Sequence, residues 1–117
     1  MKNINNDLTV AQFSGSNKFY KHYFGAIYTE GVHYVCETYS CYWFLDIILS
    51  YQLESRFKAE EFQTWELSKI KDDEFLVTST DGNGNILCTQ VIPFSDFEGD
   101  KLTFWFEDNV IYLPRER

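Results

Sequence analysis

Gln63-Thr64-Trp65-Glu66-Leu67-Ser68-Lys69 decides the fold of this chain, because here apolar and polar residues begin to alternate one by one. A period of two puts Trp65 and Leu67 on one face of an extended strand and Glu66 and Ser68 on the other. The pattern continues downstream. Phe75-Leu76-Val77-Thr78-Ser79-Thr80 is a β-branched run between turn formers, and Ile86 to Ile92 is a third run that Pro93 ends. Between them Asp81-Gly82-Asn83-Gly84-Asn85 tolerates the positive φ angles of a hairpin. Leu102-Thr103-Phe104-Trp105-Phe106 and Val110-Ile111-Tyr112-Leu113 flank Glu107-Asp108-Asn109, which predicts a second hairpin with Asn109 in a left-handed position. Five consecutive strands joined by short links predict an antiparallel meander.

Upstream of residue 60 the spacing is helical. Val32, Val35, Cys36 and Tyr39 fall at i, i+3, i+4 and i+7, and so do Phe44, Ile47, Ile48 and Tyr51. Thr29 suits the N-cap, with Glu30 in the first turn where an acid complements the positive helix end. Cys41 to Leu49 is apolar on nearly every side, which predicts a buried central helix containing Trp43, entered after a break near Ser40. A shorter helix is expected over residues 6–13, closed by Ser14-Gly15-Ser16, and Lys18 to Gly25 reads as a loop. Helices first and strands second is the α+β pattern, with N-terminal helices packed on one face of an antiparallel meander sheet of about five strands. With 117 residues the chain fits a single domain, 1–117, mainly helical over 1–58 and mainly stranded over 59–117.

The charge is as unevenly divided as the periodicity. Residues 1–58 carry five basic and five acidic side chains, whereas residues 59–117 carry five basic and thirteen acidic, so the net charge of −8 belongs wholly to the second half. Binding phosphates requires clustered Lys and Arg, so the expectation is no nucleic acid, and a protein partner that presents a basic surface. Cys36, Cys41 and Cys88 are odd in number, and Met1 to Asp7 lacks the apolar core of a secretory leader, which together predict free thiols and a cytoplasmic setting. The longest apolar run is cut by Asp46, far short of the ~20 residues of a membrane helix, so no membrane association is expected.

Five short motifs in order, Tyr28-Thr29-Glu30-Gly31-Val32, Tyr42-Trp43-Phe44-Leu45-Asp46, Phe62-Gln63-Thr64-Trp65, Ile92-Pro93-Phe94-Ser95-Asp96-Phe97 and Leu113-Pro114, give the chain a family likeness. It resembles an uncharacterised family of small single-domain proteins of similar length found in bacteria, phages and plasmids. The resemblance implies a genomic setting and no activity or site residues.

Each cluster able to carry chemistry also has a structural reading. Asp81, Asn83 and Asn85 open like a calcium loop, but Ile86 stands where glycine belongs and Ile92 where glutamate does, which favours a hairpin turn. His33, Cys36 and Cys41, with His22 or Cys88 as a fourth ligand, lack the paired spacing of a zinc site, and the cysteines read as buried hydrophobes. Cys36 beside His33 lacks the third group of a nucleophilic triad. Asp46 is the only charge between Glu37 and Glu54, and either faces solvent, accepts bonds from ring donors, or centres a small hydrolase or ligand-binding site. Lys18-Phe19-Tyr20-Lys21-His22-Tyr23 interleaves rings and charge as single-strand binders do, but is too short to overcome the charge balance. Asp72, Asp73 and Glu74, with Asp96, Glu98 and Asp100, form the acidic surface to which a basic partner would bind.

The reading is therefore a non-enzymatic protein-interaction module without metal or cofactor, with the acidic face as its binding surface; the resemblance adds the setting of a phage, plasmid or mobile-element accessory. Its rivals are an acidic nucleic-acid mimic that blocks a basic host nucleic-acid-binding or defence protein, and a small hydrolase or ligand-binding domain built around Asp46. If the acidic face is idle, the aromatic surface around Tyr20, Tyr23 and Tyr28 is the alternative. Free thiols and a metal-independent fold predict a thermal midpoint unchanged by reductant or chelator. A fall of about ten degrees, roughly 1–3 kcal/mol for a domain of this size, would contradict both expectations.

Overall fold

A computed structural model of the chain describes residues 2–13 and 18–117. Its strands and helices are β1 (Phe19–Lys21), β2 (Ile27–Thr29), α1 (Glu30–Tyr39), α2 (Tyr42–Tyr51), α3 (Ser55–Lys58), β3 (Phe62–Lys71), β4 (Glu74–Thr80), β5 (Ile86–Ile92), β6 (Lys101–Glu107) and β7 (Val110–Tyr112). Residues 4–6 and 10–12 form two 3₁₀ turns in place of the expected N-terminal helix, and the Ser14-Gly15-Ser16 turn lies outside the described residues.

The alternation that begins at Gln63 becomes one buried face of a sheet. Trp65 stands opposite Ser79 of β4 and Phe104 of β6, and Leu67 opposite Val77 and Leu102. All are buried, whereas the intervening residues Thr64, Glu66 and Ser68 are partly exposed. The apolar stripe of α2 lies on this face, with Phe44 stacked on Phe104 at 5.5 Å between ring centres. Phe57 of α3 stacks on Trp65 at 5.8 Å, and Tyr51 leans on both rings. Both α2 and α3 therefore pack on this face of the sheet.

One polar node sits inside this core. Gln63 is fully buried and exchanges two amide hydrogen bonds with Gln52, at 2.6 and 2.8 Å. Its Oε1 also accepts from the Trp65 indole at 2.9 Å, and its Nε2 donates to the Phe57 carbonyl. Every hydrogen-bonding position of the amide is used, so burial carries no desolvation penalty from an unpaired group, and the geometry admits one placement of α3.

The sheet has seven strands in the order β1-β2-β7-β6-β3-β4-β5, where about five were expected. The two additions, β1 and β2, fall inside residues 1–58, so that half is not simply helical. Each is three residues long, too short for a period of two to register, and β2 is held by parallel pairing with β7, more than eighty residues away in sequence. The other pairings are antiparallel. The meander also fails after β5, because β6 returns to the far side of β3 instead of pairing with β5.

The helix boundaries follow the local chemistry. Thr29 caps α1, its Oγ1 accepting from the Val32 N–H at 3.3 Å and donating to Glu116 Oε1 at 2.6 Å. The carboxylate thus rests at the positive end of the helix. Gly31 leaves room for this docking, since a Cβ there would lie 2.7 Å from Leu113 and 2.8 Å from Glu116. Ser40, with φ 54°, ends α1 where the break was expected. Trp43 departs from expectation: it is only half-buried, while Phe44, Leu45, Ile48 and Leu49 are the positions of α2 that face the sheet. A one-residue step turns a helix by about 100°, so Trp43 lies beside the stripe and not in it.

Phe44→Ala is therefore expected to cost about 3–5 kcal/mol in denaturant unfolding, and Trp43→Ala clearly less. Equal losses would misplace the core. Burial, reinforced by hydrogen bonds to Asp7 and Glu107, pushes the Tyr39 and Tyr112 hydroxyls up from 10.0 to about 12. Because the folded values are raised, these tyrosines stabilise the fold fully below pH 10, and the contribution is lost as the pH rises toward 12. Tyr39→Phe combined with Tyr112→Phe should flatten the alkaline fall of the thermal midpoint.

Candidate functional site

Because β3 is paired on both sides, the chain leaving β5 crosses the ends of β4 and β3 to reach β6. That crossing, residues 93–100, lies against the β3–β4 turn. Ser95 N–H donates to the Asp73 carbonyl at 2.9 Å, and Lys69 N–H to the Asp100 carbonyl at 2.8 Å. The two acidic triplets, separated by more than twenty residues in sequence, therefore share one end of the sheet.

Alternate residues of the crossing point inward. Phe97 is buried, with Phe75 at 5.6 Å and Tyr39 at 6.2 Å between ring centres. Gly99 is also buried, and a Cβ there would lie 2.6 Å from Ile4. Ser95 Oγ accepts from Phe97 N–H at 3.1 Å and fixes the turn between them. Phe94, Asp96 and Glu98 consequently face solvent from a segment pinned at every second residue. Phe94 is 81% exposed, although its family of neighbours in the crossing includes a core phenylalanine only three residues away.

The six acidic residues are not equivalent. Asp72, with φ 38°, and Asp73 are exposed in the tight turn, and Glu74 is half-buried at the start of β4. Asp100 serves the fold: its carboxylate accepts the backbone N–H of Lys2 and lies 3.7 Å from the Lys69 ammonium. Those contacts, the Lys2 N–H first, hold the Asp100 carboxyl below its usual value. The acids of this end that face solvent without such a structural role thus reduce to Asp72, Asp73, Asp96 and Glu98, with Phe94 exposed in the same crossing. The sequence carried the acids; Phe94 was missed as a site residue because an apolar side chain beside Pro93 gives no sign of facing outward.

The other candidates are placed plainly. Asp46 is 46% exposed and not deeply buried, and its Oδ1 meets His22 Nε2 at 2.7 Å. His22 Nδ1 accepts the Phe24 N–H at 3.0 Å, so Nε2–H donates to Asp46, and both ring nitrogens are engaged. His33 is drawn away from the cysteines. Its Nδ1 lies 3.0 Å from the Tyr42 hydroxyl, which donates to Glu37 at 2.7 Å, and its ring stacks on Tyr20 at 3.9 Å. Burial and the Glu37 bond push the Tyr42 hydroxyl up. Cys36 and Cys41 are fully buried, their thiols directed at the Cys41 and Val35 carbonyls, and burial pushes the Cys36 thiol well up. Cys88 is half-buried on β5.

Asp81 is consumed by its own turn. Oδ1 accepts from the Asn83 and Asn85 N–H groups and Oδ2 from the Asn85 amide, which holds this carboxyl below its usual value. Gly82, at φ 86°, admits Phe62, whose ring would lie 2.8 Å from a Cβ. Among the described residues no group of three or more His, Cys, Asp or Glu is placed to hold a metal ion. Nor is any helix among them long and apolar enough to cross a membrane. Of Lys18 to Gly25, expected as a loop, Phe19–Lys21 forms strand β1 and the remainder is connection and turn, with the Lys18 ammonium 5.2 Å from the Tyr20 ring and Tyr20 stacked on Tyr28.

The described residues define a mixed α+β protein with three helices and a seven-stranded, mostly antiparallel sheet. The chain belongs to the family described as "Family of unknown function (DUF6876)", whose model matches residues 2–117. No curated protein and no solved structure matches it.

Reversing the charge of Asp72, Asp73, Asp96 and Glu98 should leave stability within about 0.5 kcal/mol, as at ordinary surface positions. Asp100→Lys should lower the denaturant midpoint measurably, because it releases Lys2 and repels Lys69. Equal midpoints for Asp100→Lys and Asp96→Lys would remove the distinction.

Proposed function

We propose that the protein is a non-catalytic interaction module that holds a basic protein partner at the acidic end of its sheet, with Phe94 as the apolar anchor. The observation that carries this reading is Phe94, 81% exposed on a segment that Phe97 and Gly99 pin to the core. An aromatic ring held ready for contact loses little conformational entropy on binding, and such rings dominate interface energetics. Asp72, Asp73, Asp96 and Glu98 around it supply long-range attraction for Lys and Arg and discourage wrong partners.

The absence of an enzymatic role belongs to the same proposal. It is supported by the engagement of His22 at both nitrogens and of His33 with Tyr42. The cytoplasmic setting is supported by three unpaired thiols, and the placement among phage, plasmid or other mobile-element accessories rests on the family resemblance. A partner whose basic groove ordinarily holds nucleic acid would make the protein an acidic mimic, and competition by added DNA identifies that case.

The test compares proteins retained from a cell extract by the immobilised chain, by Phe94→Ala and by Asp96→Lys with Glu98→Lys. A specific partner should be retained by the unaltered chain alone. With that partner purified, Phe94→Ala should raise the dissociation constant about tenfold or more, and the charge reversals should slow association and flatten its salt dependence. Unchanged binding by both variants refutes the proposal. So does tight binding of the unaltered chain to labelled DNA or RNA at physiological salt.

A further inference from the structure

A sheet ends in two strands whose outer N–H and C=O groups face no neighbouring strand, here β1 and β5. Natural edges are guarded against pairing by charges, prolines or bulges. Strand β1 contains Lys21 and follows Lys18. Strand β5, Ile86-Leu87-Cys88-Thr89-Gln90-Val91-Ile92, contains no charge at all.

Its first part is protected by other means. The register against β4 shifts between Ser79 and Thr80, which leaves Leu87 unpaired, and Arg56 Nη1 donates to the Leu87 carbonyl at 2.8 Å. From Cys88 to Ile92 the pairing with β4 is regular, and among the described residues no further hydrogen bond to the backbone of this stretch is made from the outer side. Val91 is 52% exposed there, and Ile86 just before it 66%.

We propose that the Cys88–Ile92 edge pairs with the same edge of a second copy of the chain, antiparallel about a two-fold axis near Gln90. That register sets Thr89 against Val91 and Cys88 against Ile92, so the seam contains no charge, proline or glycine and matches itself. Two copies each of net charge −8 repel, and a charge-free edge is where they meet without placing like charges opposite one another. Antiparallel pairing also sends the two acidic crossings, residues 93–100, to opposite ends of the seam. The dimer therefore displays two partner-binding surfaces at once, which raises avidity for a repeated or dimeric partner. Pairing of two such edges continues one sheet from seven strands to fourteen.

A seam of five residues per chain buries less than the roughly 1,200 Å² of a standard stable interface, so the dimer is weak, forming at about 10–500 µM. Sedimentation equilibrium of the full chain across that range should show the mass rising from one chain toward two. Thr89→Lys with Val91→Lys places lysines opposite lysines and should weaken association at least about tenfold with circular dichroism unchanged, whereas Phe19→Lys on the other edge should not. In the unaltered chain, hydrogen exchange at the Cys88–Ile92 amides should slow as concentration rises, a readout that does not depend on any variant folding. A mass of one chain throughout, a dimer that survives the lysine pair, or exchange at these amides independent of concentration overturns the proposal.

Discussion

The pairing of β3 on both sides, with β4 and with β6, is the constraint on which the rest of the structure depends. Once Trp65 and Leu67 are buried between Ser79 and Val77 on one side and Phe104 and Leu102 on the other, β5 has no access to β6. The connection must pass around the end of two strands, and only a segment with inward anchors can do so without exposing its own backbone needs. Phe97 fills the gap below Tyr39, Gly99 yields to Ile4, and Asp100 gathers the chain's first residues by its bond to Lys2. The acidic end of the molecule is a consequence of this route.

The same economy governs the polar groups of the interior. Gln63 is buried in full, and Gln52, Trp65 and Phe57 satisfy it completely. A half-satisfied amide at this point would be costly, so the network selects one arrangement of α3 over the sheet instead of merely permitting it. Ser79 Oγ is the exception, buried beside Trp65 without a hydrogen-bond partner among the described residues. The two histidines, like Gln63, are held by polar and ring contacts. His22 is clamped between Phe24 N–H and Asp46, and His33 between Tyr42 and the Tyr20 ring, contacts that join the β1–β2 region to α1 and α2.

What was legible in the sequence was local. The α1 cap at Thr29, the break at Ser40 and the inward faces of β3, β4 and β6 are all written in spacing over fewer than ten residues. The Glu107–Val110 hairpin belongs with them, its two central residues Asp108 and Asn109 both at positive φ. Asp46 was legible only as an anomaly, a lone charge in an apolar helix. Its partner His22 lies twenty-four residues upstream, just past β1 in the turn toward β2, where no periodicity announces it. The acids of the candidate site were visible as a composition, but nothing local distinguished Asp100, which ties down the N-terminal segment, from Asp96 and Glu98, which do not.

By itself the sequence determined which residues face a core, where helix gives way to strand, and that the excess negative charge follows residue 58, because side-chain periodicity and charge are properties of neighbouring positions. Tertiary structure alone decided the sheet order, the parallel pairing of β2 with β7, the convergence of the β3–β4 turn with the β5–β6 crossing, and the outward aim of Phe94. The physical reason is range. Strand β2 and the crossing loop gain stability from groups more than twenty and up to nearly a hundred positions away, and those contacts exist only after the chain has closed on itself.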